Sequence, residues 1–544
     1  MARRNRRARR TVNAIEQLEW RNVVNTYGPI RVLDDEQVQT IIDRALDILE
    51  TKGMRFLEVG SRLRLASAGA DVDEDSMMVR LDRSLVMEQL ALAPSSFVLR
   101  ARNPARHLTL GDSHLLAKSA IGDSHLLTKK SVGDSDLSAQ DAIGDCHLMG
   151  VGDCPLNFVS VGGPAFVSDL DKGRRSGTYK EMCDYLRLVQ SLNIIHQEGG
   201  GPFEAMDLPA ETRHLDLYLA QHRLTDKNCQ SYALGGVRAR DSVEMACIAL
   251  GVDRDALLDK AALLAIINTN SPLQLDIPMT EAVNELAAAG QVCCITPFTL
   301  AGSMSPATLA GTLVQQTAEV LAVVTYAQIV KPGARVMYGS FASNVDMRSG
   351  SPALGTPEYT KCALASGQIA RKLGLPFRSS NTTMSNCNDA QAAYESQMSL
   401  WGSVMGGAHL VNHAAGWLEG GLTASFEKLI IDAEMLQMMA EYLRPIELSD
   451  DELALDAIAE VDPGGHHFGT AHTLQRYESA FYNPIISSRE NFENWQEAGS
   501  KDAAVRANSI WKQMLKDYEQ PPLDAAIDEA LVDYVERRKQ EIQK

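Results

Sequence analysis

No run of 18 or more consecutive apolar residues occurs in this chain, and neither a CxxC pair nor an HExxH motif is present. The first absence argues against a spanning helix. The nine cysteines are odd in number and scattered, which argues against a disulfide framework and against a zinc ribbon and makes them small buried apolar residues. Aromatic residues are sparse at 6%. A surplus of positive charge is missing too: the net charge is −18, and six arginines crowd into MARRNRRARR, so the chain from Thr11 onward carries about −24. An acidic body repels phosphate backbones, which excludes nucleic acid as a partner of anything but the arm. That arm runs into TVNAIEQLEW instead of an apolar segment, so a secretory leader is not expected and the cytoplasm is the expected location.

What is present describes an ordinary globular protein, 544 residues long with 45% hydrophobic and 22% charged residues. Residues 1–34 read as a basic, flexible arm. Val38, Ile41, Ile42, Ala45 and Ile48 stand at helical spacing before Gly53, so a helix opens an N-terminal cap, helical and α+β, that spans 35–156. Inside it, GDSHL, GDSHL, GDSDL, GDCHL and GDCPL begin at Gly111, Gly122, Gly133, Gly144 and Gly152. Repeated Gly-Asp turns around short apolar segments predict a duplicated surface insertion over 111–154. The GDS start is similar to the serine box of GDSL-type hydrolases, but a nucleophile acts in one geometry and is not written three times.

From residue 157 the rhythm is constant. Apolar strand candidates fall at 158–161, 194–197, 229–233, 264–267, 292–296, 336–338, 376–379 and 410–412, with helix-patterned stretches between them. Eight βα alternations over 157–444 predict an α/β fold, a (β/α)8 TIM barrel, followed by a helical C-terminal extension over 445–544. The terminal DAAIDEALVDYVERRKQEIQK reads as an amphipathic helix that packs on the barrel or on a second subunit.

A parallel barrel presents its chemistry where strands end. Glu198 before GGGP, Asn268, Phe298, Tyr338, Phe341, Asn381, His413 and Trp417 stand at such positions. Each has a structural alternative, a salt bridge for Glu198 and packing or hydrogen bonding for the others. Ring faces bind a quaternary ammonium, so the aromatic residues point to a cation cage. His409 and His413 straddle a strand and lie too far apart to share one zinc, and His466, His467 and His472 crowd a Gly-rich loop; no metal set can be assembled from them.

The phrases NDAQAAYES, HAAGWLEGGLTASFEKLIIDAEM, DPGGHHFGTAHTL and FYNPIISSRENFENW resemble the trimethylamine methyltransferase family, over residues 157 to 500. The resemblance implies a barrel that binds a methylated amine at its mouth and gives one methyl to the cobalt of a corrinoid (cobalamin) carried by a partner protein, with no cofactor held tightly, in one-carbon metabolism like that of methanogenesis. Founding members carry pyrrolysine close to Thr382, Thr383 or Met384; SSNTTMSNCNDAQ has no such residue and no lysine. Trimethylamine is therefore not the expected substrate, and the non-pyrrolysine branch implies a quaternary amine such as glycine betaine. A nitrogen with four carbons leaves as a neutral amine, so positioning should dominate, with Asn381, His413 and glycine N–H groups as donors for a betaine carboxylate and no side chain assigned to chemistry. Asp389, Gln391 and Glu395 match the family's phrase and fit helix-start duty equally. A homo-oligomer is expected. Two rivals remain: a non-catalytic scaffold or binding subunit whose working parts are the arm and the repeats, and a metal-dependent hydrolase.

Overall fold

The computed structural model describes residues 15–111 and 154–544; the first 14 residues of the arm and all but the ends of the GD insertion lie outside them. One mixed sheet of eight strands curls through the centre. In chain order these are β1 (Val23–Asn25), β2 (Cys154–Ser160), β3 (Cys229–Ser231), β4 (Leu263–Ile267), β5 (Val292–Ile295), β6 (Val336–Gly339), β7 (Phe377–Ser380) and β8 (Leu410–Ala415). Their spatial order is β1-β2-β8-β7-β6-β5-β4-β3, parallel throughout except for β1. Seven of the eight strand candidates are strands. The eighth, 194–197, is not: a single residue, Gln197, makes parallel bridges to Val159 and to Asn228, between the two ends of the parallel series.

The eighth strand comes from the predicted arm, whose described part is docked. Val23, Val24 and Asn25 pair antiparallel with Leu156, Pro155 and Cys154, the Asn25 amide donates to the Val404 carbonyl at 3.0 Å, and Trp20 stands edge-on to His196. A bound strand loses stability when deleted because its buried side chains and ladder bonds go together. A chain starting at Asp35 is expected to be less stable than the full chain by roughly 3 kcal/mol or more, measurable by urea denaturation.

The cap forms as its sequence dictates. Helix α1 (Asp35–Thr51) begins in a capping box between Asp34 and Gln37 and stops before Gly53, whose φ of +80° favours glycine. It packs, together with helix Arg83–Leu90, on α2 (Leu309–Val330). Among the described residues α2 is the one helix long and apolar enough to cross a membrane, but it is mostly buried and holds Gln315, Gln316 and Glu319 out of water. These are features of a core helix.

The hairpin Ser96–Leu99 with Leu108–Gly111 sends Phe97, Leu99, Leu108 and Leu110 into one cluster with Val159, Leu264, Val292, Cys294, Met337 and Leu410. Apolar packing thus fills the inner face of the sheet near the strand starts and leaves the polar residues at the strand ends. At the C-terminus, α5 (Ala503–Lys516) lies on the helix Phe426–Tyr442 that follows β8, with Trp511 4.8 Å from Phe426. Helix α6 (Ala525–Ile542) takes the first of its two expected places, on helices Arg213–Leu224 and Gly236–Leu250, where Tyr534 and Arg538 both donate to Asp241. Between Pro445 and Ser500, Phe468 and Phe481 are more than three-quarters exposed.

Candidate functional site

Four of the predicted site residues come together. Past the end of β6, Phe341 lies 5.2 Å from half-buried Phe298, which follows β5, and 6.1 Å from Trp417, which follows β8; Trp417 in turn lies 4.4 Å from His413. Tyr359 adds its edge to Phe341 at 6.1 Å. The rings meet because the segments that leave β5, β6 and β8 converge past the strand ends. His413 holds φ at +55° within β8, at a register irregularity between Val411 and Ala415. A non-glycine residue there is strained, and such strain gathers at functional sites. Burial, with Arg378 adding to it, pushes the His413 pKa well below its usual value, so the ring is neutral.

Side-chain alternation along β6 removes Tyr338 from the site. Its neighbour Met337 takes the inner face, and the phenol points outward to α2, where its oxygen bonds Gln316 (3.0 Å) and Thr317 (2.9 Å). Tyr338 thus stands near the strand end, on its outer side. Asn268 stands exposed just beyond β4. Asn381 is buried and donates to the Ala414 carbonyl at 2.9 Å, tying the end of β7 to β8.

Glu198 is fully buried, and among the described residues the salt bridge that was its structural alternative is not made. One carboxylate oxygen accepts from Gly201 N–H (2.7 Å), the other from Gly200 N–H (2.8 Å) and from Gln221. Burial outweighs these bonds and raises its pKa to about 7. Glu198 is therefore built into its own glycine turn. That turn is tight: a Cβ on Gly162 would lie 1.8 Å from the Gly199 carbonyl oxygen, so only glycine allows the end of β2 to pass so close.

The residue that sequence reasoning passed over is Arg378. It pairs in register with Leu410, which belongs to the inner cluster, so its side chain faces inward from the middle of β7. It is the largest fully buried side chain and has no acidic partner among the described residues. One guanidinium nitrogen donates to the Ser340 carbonyl at 3.3 Å, and Nε has no partner among the described residues. Its Cζ lies 5.7 Å from the centre of the Phe341 ring. The signal was legible: FRSS carries the one Lys, Arg, Asp or Glu in any of the seven parallel strands. Among the described residues, further buried polar atoms on the same strand ends have no protein partner, both side-chain ends of Gln197, Oδ1 of Asn412 and Nδ1 of His413. Buried polar groups are normally bonded, so these atoms call for ordered water or a polar ligand. The charge is unexpected for a cation cage. Two unit positive charges ~6 Å apart at an effective dielectric of ~20 repel by roughly 3 kcal/mol, more than one ring returns.

The family-like phrases underpin this geometry. Asp389 caps α3 (Ala390–Met405), and Glu395 accepts from Thr383 Oγ1 (2.6 Å) and Met384 N–H (2.8 Å), clasping the loop after β7. The Trp417 indole donates to the Thr383 carbonyl at 3.1 Å, joining that loop to the one after β8. On α4 (Phe426–Tyr442), buried Lys428 pairs with Asp432, whose other oxygen accepts from Gly416 N–H at 2.8 Å, beside Trp417. The histidines do not gather: His409 Nδ1 accepts from Phe377 N–H, His466 and His467 are exposed, and His472 meets the Asp451 carbonyl. Among the described residues no three His, Cys, Asp or Glu side chains form a metal-holding group.

Aromatic faces and polar atoms at the C-terminal ends of parallel strands, with a buried guanidinium beside them, are features of a small-ligand site of the α/β enzyme type. The family model for trimethylamine methyltransferase (MTTB) matches residues 1–130 and 147–543, well beyond the stretch that the motifs suggested. The chain belongs to that family. It is 34% identical over 517 residues to a glycine betaine methyltransferase of Desulfitobacterium hafniense, covering 94% of this chain and 98% of that one. It is 26% identical over 510 residues to the trimethylamine methyltransferase MttB of Methanosarcina barkeri, covering 92% and 93%. Among solved structures, the hydroxylamine complex of MtmB aligns over 92% of this chain and 97% of that chain, with 10% identity and a TM-score of 0.48.

Proposed function

We propose that this chain is a methyltransferase that moves one methyl group from a quaternary amine of the glycine betaine kind to the Co(I) corrinoid of a partner protein, working in the cytoplasm on a closed (β/α)8 barrel. Residues 35–156 would cap the barrel, 157–444 form it and 445–544 extend it. The Gln197 bridges support closure, because they join Val159 and Asn228 across the gap in the parallel series. The ring cluster of Phe298, Phe341 and Trp417 at the strand ends is the observation that carries the reading. Its faces suit an alkylated cation, each ring contributing about 0.5–2 kcal/mol depending on desolvation.

The chemistry asks little of side chains. The acceptor, a substrate here, supplies the attacking electron pair. The C–N bond breaks with its pair on nitrogen, and the amine leaves neutral, so no acid is required. Rings and strand-end polar groups hold the ammonium and aim one methyl outward, and orientation alone can lower such a barrier by several kcal/mol. Thr383 is engaged by Glu395, in the stretch where pyrrolysine is expected in founding members, which supports a quaternary substrate over trimethylamine. Leu170, Met206, Leu234, Met347 and Leu422 are exposed on segments that leave the strand ends, a rim suited to a docking corrinoid protein. Exposed Phe468 and Phe481 support self-association through the C-terminal region.

The test is purified chain with Co(I) cobalamin and a panel of methylated amines, followed by the cobalamin spectrum. At least one quaternary amine is expected to consume Co(I), and trimethylamine is not. A response to trimethylamine alone, or to no quaternary amine, would contradict the proposal.

A further inference from the structure

A buried cation next to a ring cluster that is to receive a second cation needs a counter-charge, and among the described residues no carboxylate is paired with it. Glu198 is spent on Gly200, Gly201 and Gln221, Glu395 on Thr383 and Met384, and Asp432 on Lys428 and Gly416. The ligand must bring it. We propose that Arg378 determines specificity: it receives the anionic group of a zwitterionic quaternary amine while Phe298, Phe341 and Trp417 hold the ammonium, so that betaines are taken and quaternary amines without an anion are rejected. This rests on the reading of the site as a quaternary-amine site.

The geometry suits the short molecule. In a betaine, the nitrogen and the carboxylate carbon are separated by two single bonds of about 1.5 Å. A carboxylate seated on the guanidinium therefore leaves the ammonium within reach of the Phe341 ring, whose centre is 5.7 Å from Cζ. A guanidinium offers five donors in a planar fork that matches a carboxylate. Here that fork makes one bond at 3.3 Å and leaves Nε unused. A structural arginine so deep in a fold is ordinarily paired with an acid; this one, among the described residues, is not. The anion also reverses the sign of the local field, since the same guanidinium that repels a bare ammonium anchors one that carries its own carboxylate.

The experiment is calorimetric binding to the full chain of glycine betaine and of choline, which share a trimethylammonium group and differ in carboxylate against hydroxyl. Wild-type protein is expected to bind glycine betaine on the order of a hundredfold more tightly. Arg378→Met is expected to remove most of that advantage while leaving choline affinity unchanged or improved, and Arg378→Lys to restore part of it. Because the exchange removes an unpaired buried charge, Arg378→Met is expected to melt no lower than wild type; if it does not fold, the wild-type comparison decides alone. Choline binding as well as glycine betaine, or an equal loss of both in Arg378→Met, overturns the proposal. If choline then also methylates cobalamin, the methyl-transfer reading stands and only the role of Arg378 falls. If no quaternary amine binds, both fall.

Discussion

Trp417→Ala is expected to produce the largest single loss at the site, in two separable quantities. The side chain is 7% exposed, touches Phe341 and His413, and ties two strand-end loops together through the Thr383 carbonyl. Removing it leaves a cavity and one bond fewer at the Thr383 carbonyl, which Gly420 N–H still holds, so the variant should lose about 3–5 kcal/mol of stability. It should also bind a quaternary amine at least tenfold more weakly, because a ring face is gone and one of the ties on the loop after β7 is lost. Phe298→Leu separates the two effects. Phe298 is half-buried, so its replacement should lower affinity several-fold with little change in the denaturation midpoint. Equal affinity in wild type and both variants would show that the rings are packing and nothing more.

The second large effect is a pH dependence set by Glu198. Its pKa is raised to about 7 in the folded chain from an ordinary 4.5, chiefly by burial. Folding therefore favours the protonated carboxyl. The stability this contributes is complete below about pH 4.5, is lost as pH rises through 7, and stays lost above it. Over that window the wild-type chain should fall, relative to Glu198→Gln, by on the order of 3 kcal/mol. Urea denaturation of both proteins at pH 5 and pH 8 reads the difference directly. Parallel curves would mean that the bonds from Gly200, Gly201 and Gln221 keep the carboxylate ionised throughout. Quaternary-amine affinity should change little in this variant, since the carboxylate is turned into its own loop.

Much of this fold could be read from residues. Short apolar runs with helical stripes between them located seven strands, because a strand buried on both faces has few ways to be written. One element escaped and one candidate failed. Val23–Asn25 is too short to show a period and gains its place only by pairing with β2, whereas 194–197 contributes only Gln197, with its two bridges, before the chain bends into the Glu198 turn. At the site, position along the chain is legible and direction is not. Phe341 and Tyr338 lie three residues apart, yet one joins the ring cluster past the strand end and the other points out to α2. A carboxylate that caps two glycine N–H groups, as Glu198 does, looks in sequence like one that faces a ligand. Arg378 was overlooked although an arginine within an apolar strand is costly and so informative. The motif resemblance did most to reach the family, and the family match spans more of the chain than those motifs did.

The central claim is that a methyl leaves a quaternary nitrogen and arrives on the acceptor without passing through a third group. A single-turnover reaction of the full chain with Co(I) cobalamin and glycine betaine labelled with carbon-13 in its N-methyl groups tests this most directly, followed by carbon NMR. The account predicts one dimethylglycine formed for each labelled methyl found on cobalamin. No label on cobalamin, or a third methyl that is released as methanol or attached to the protein while dimethylglycine forms, would contradict it.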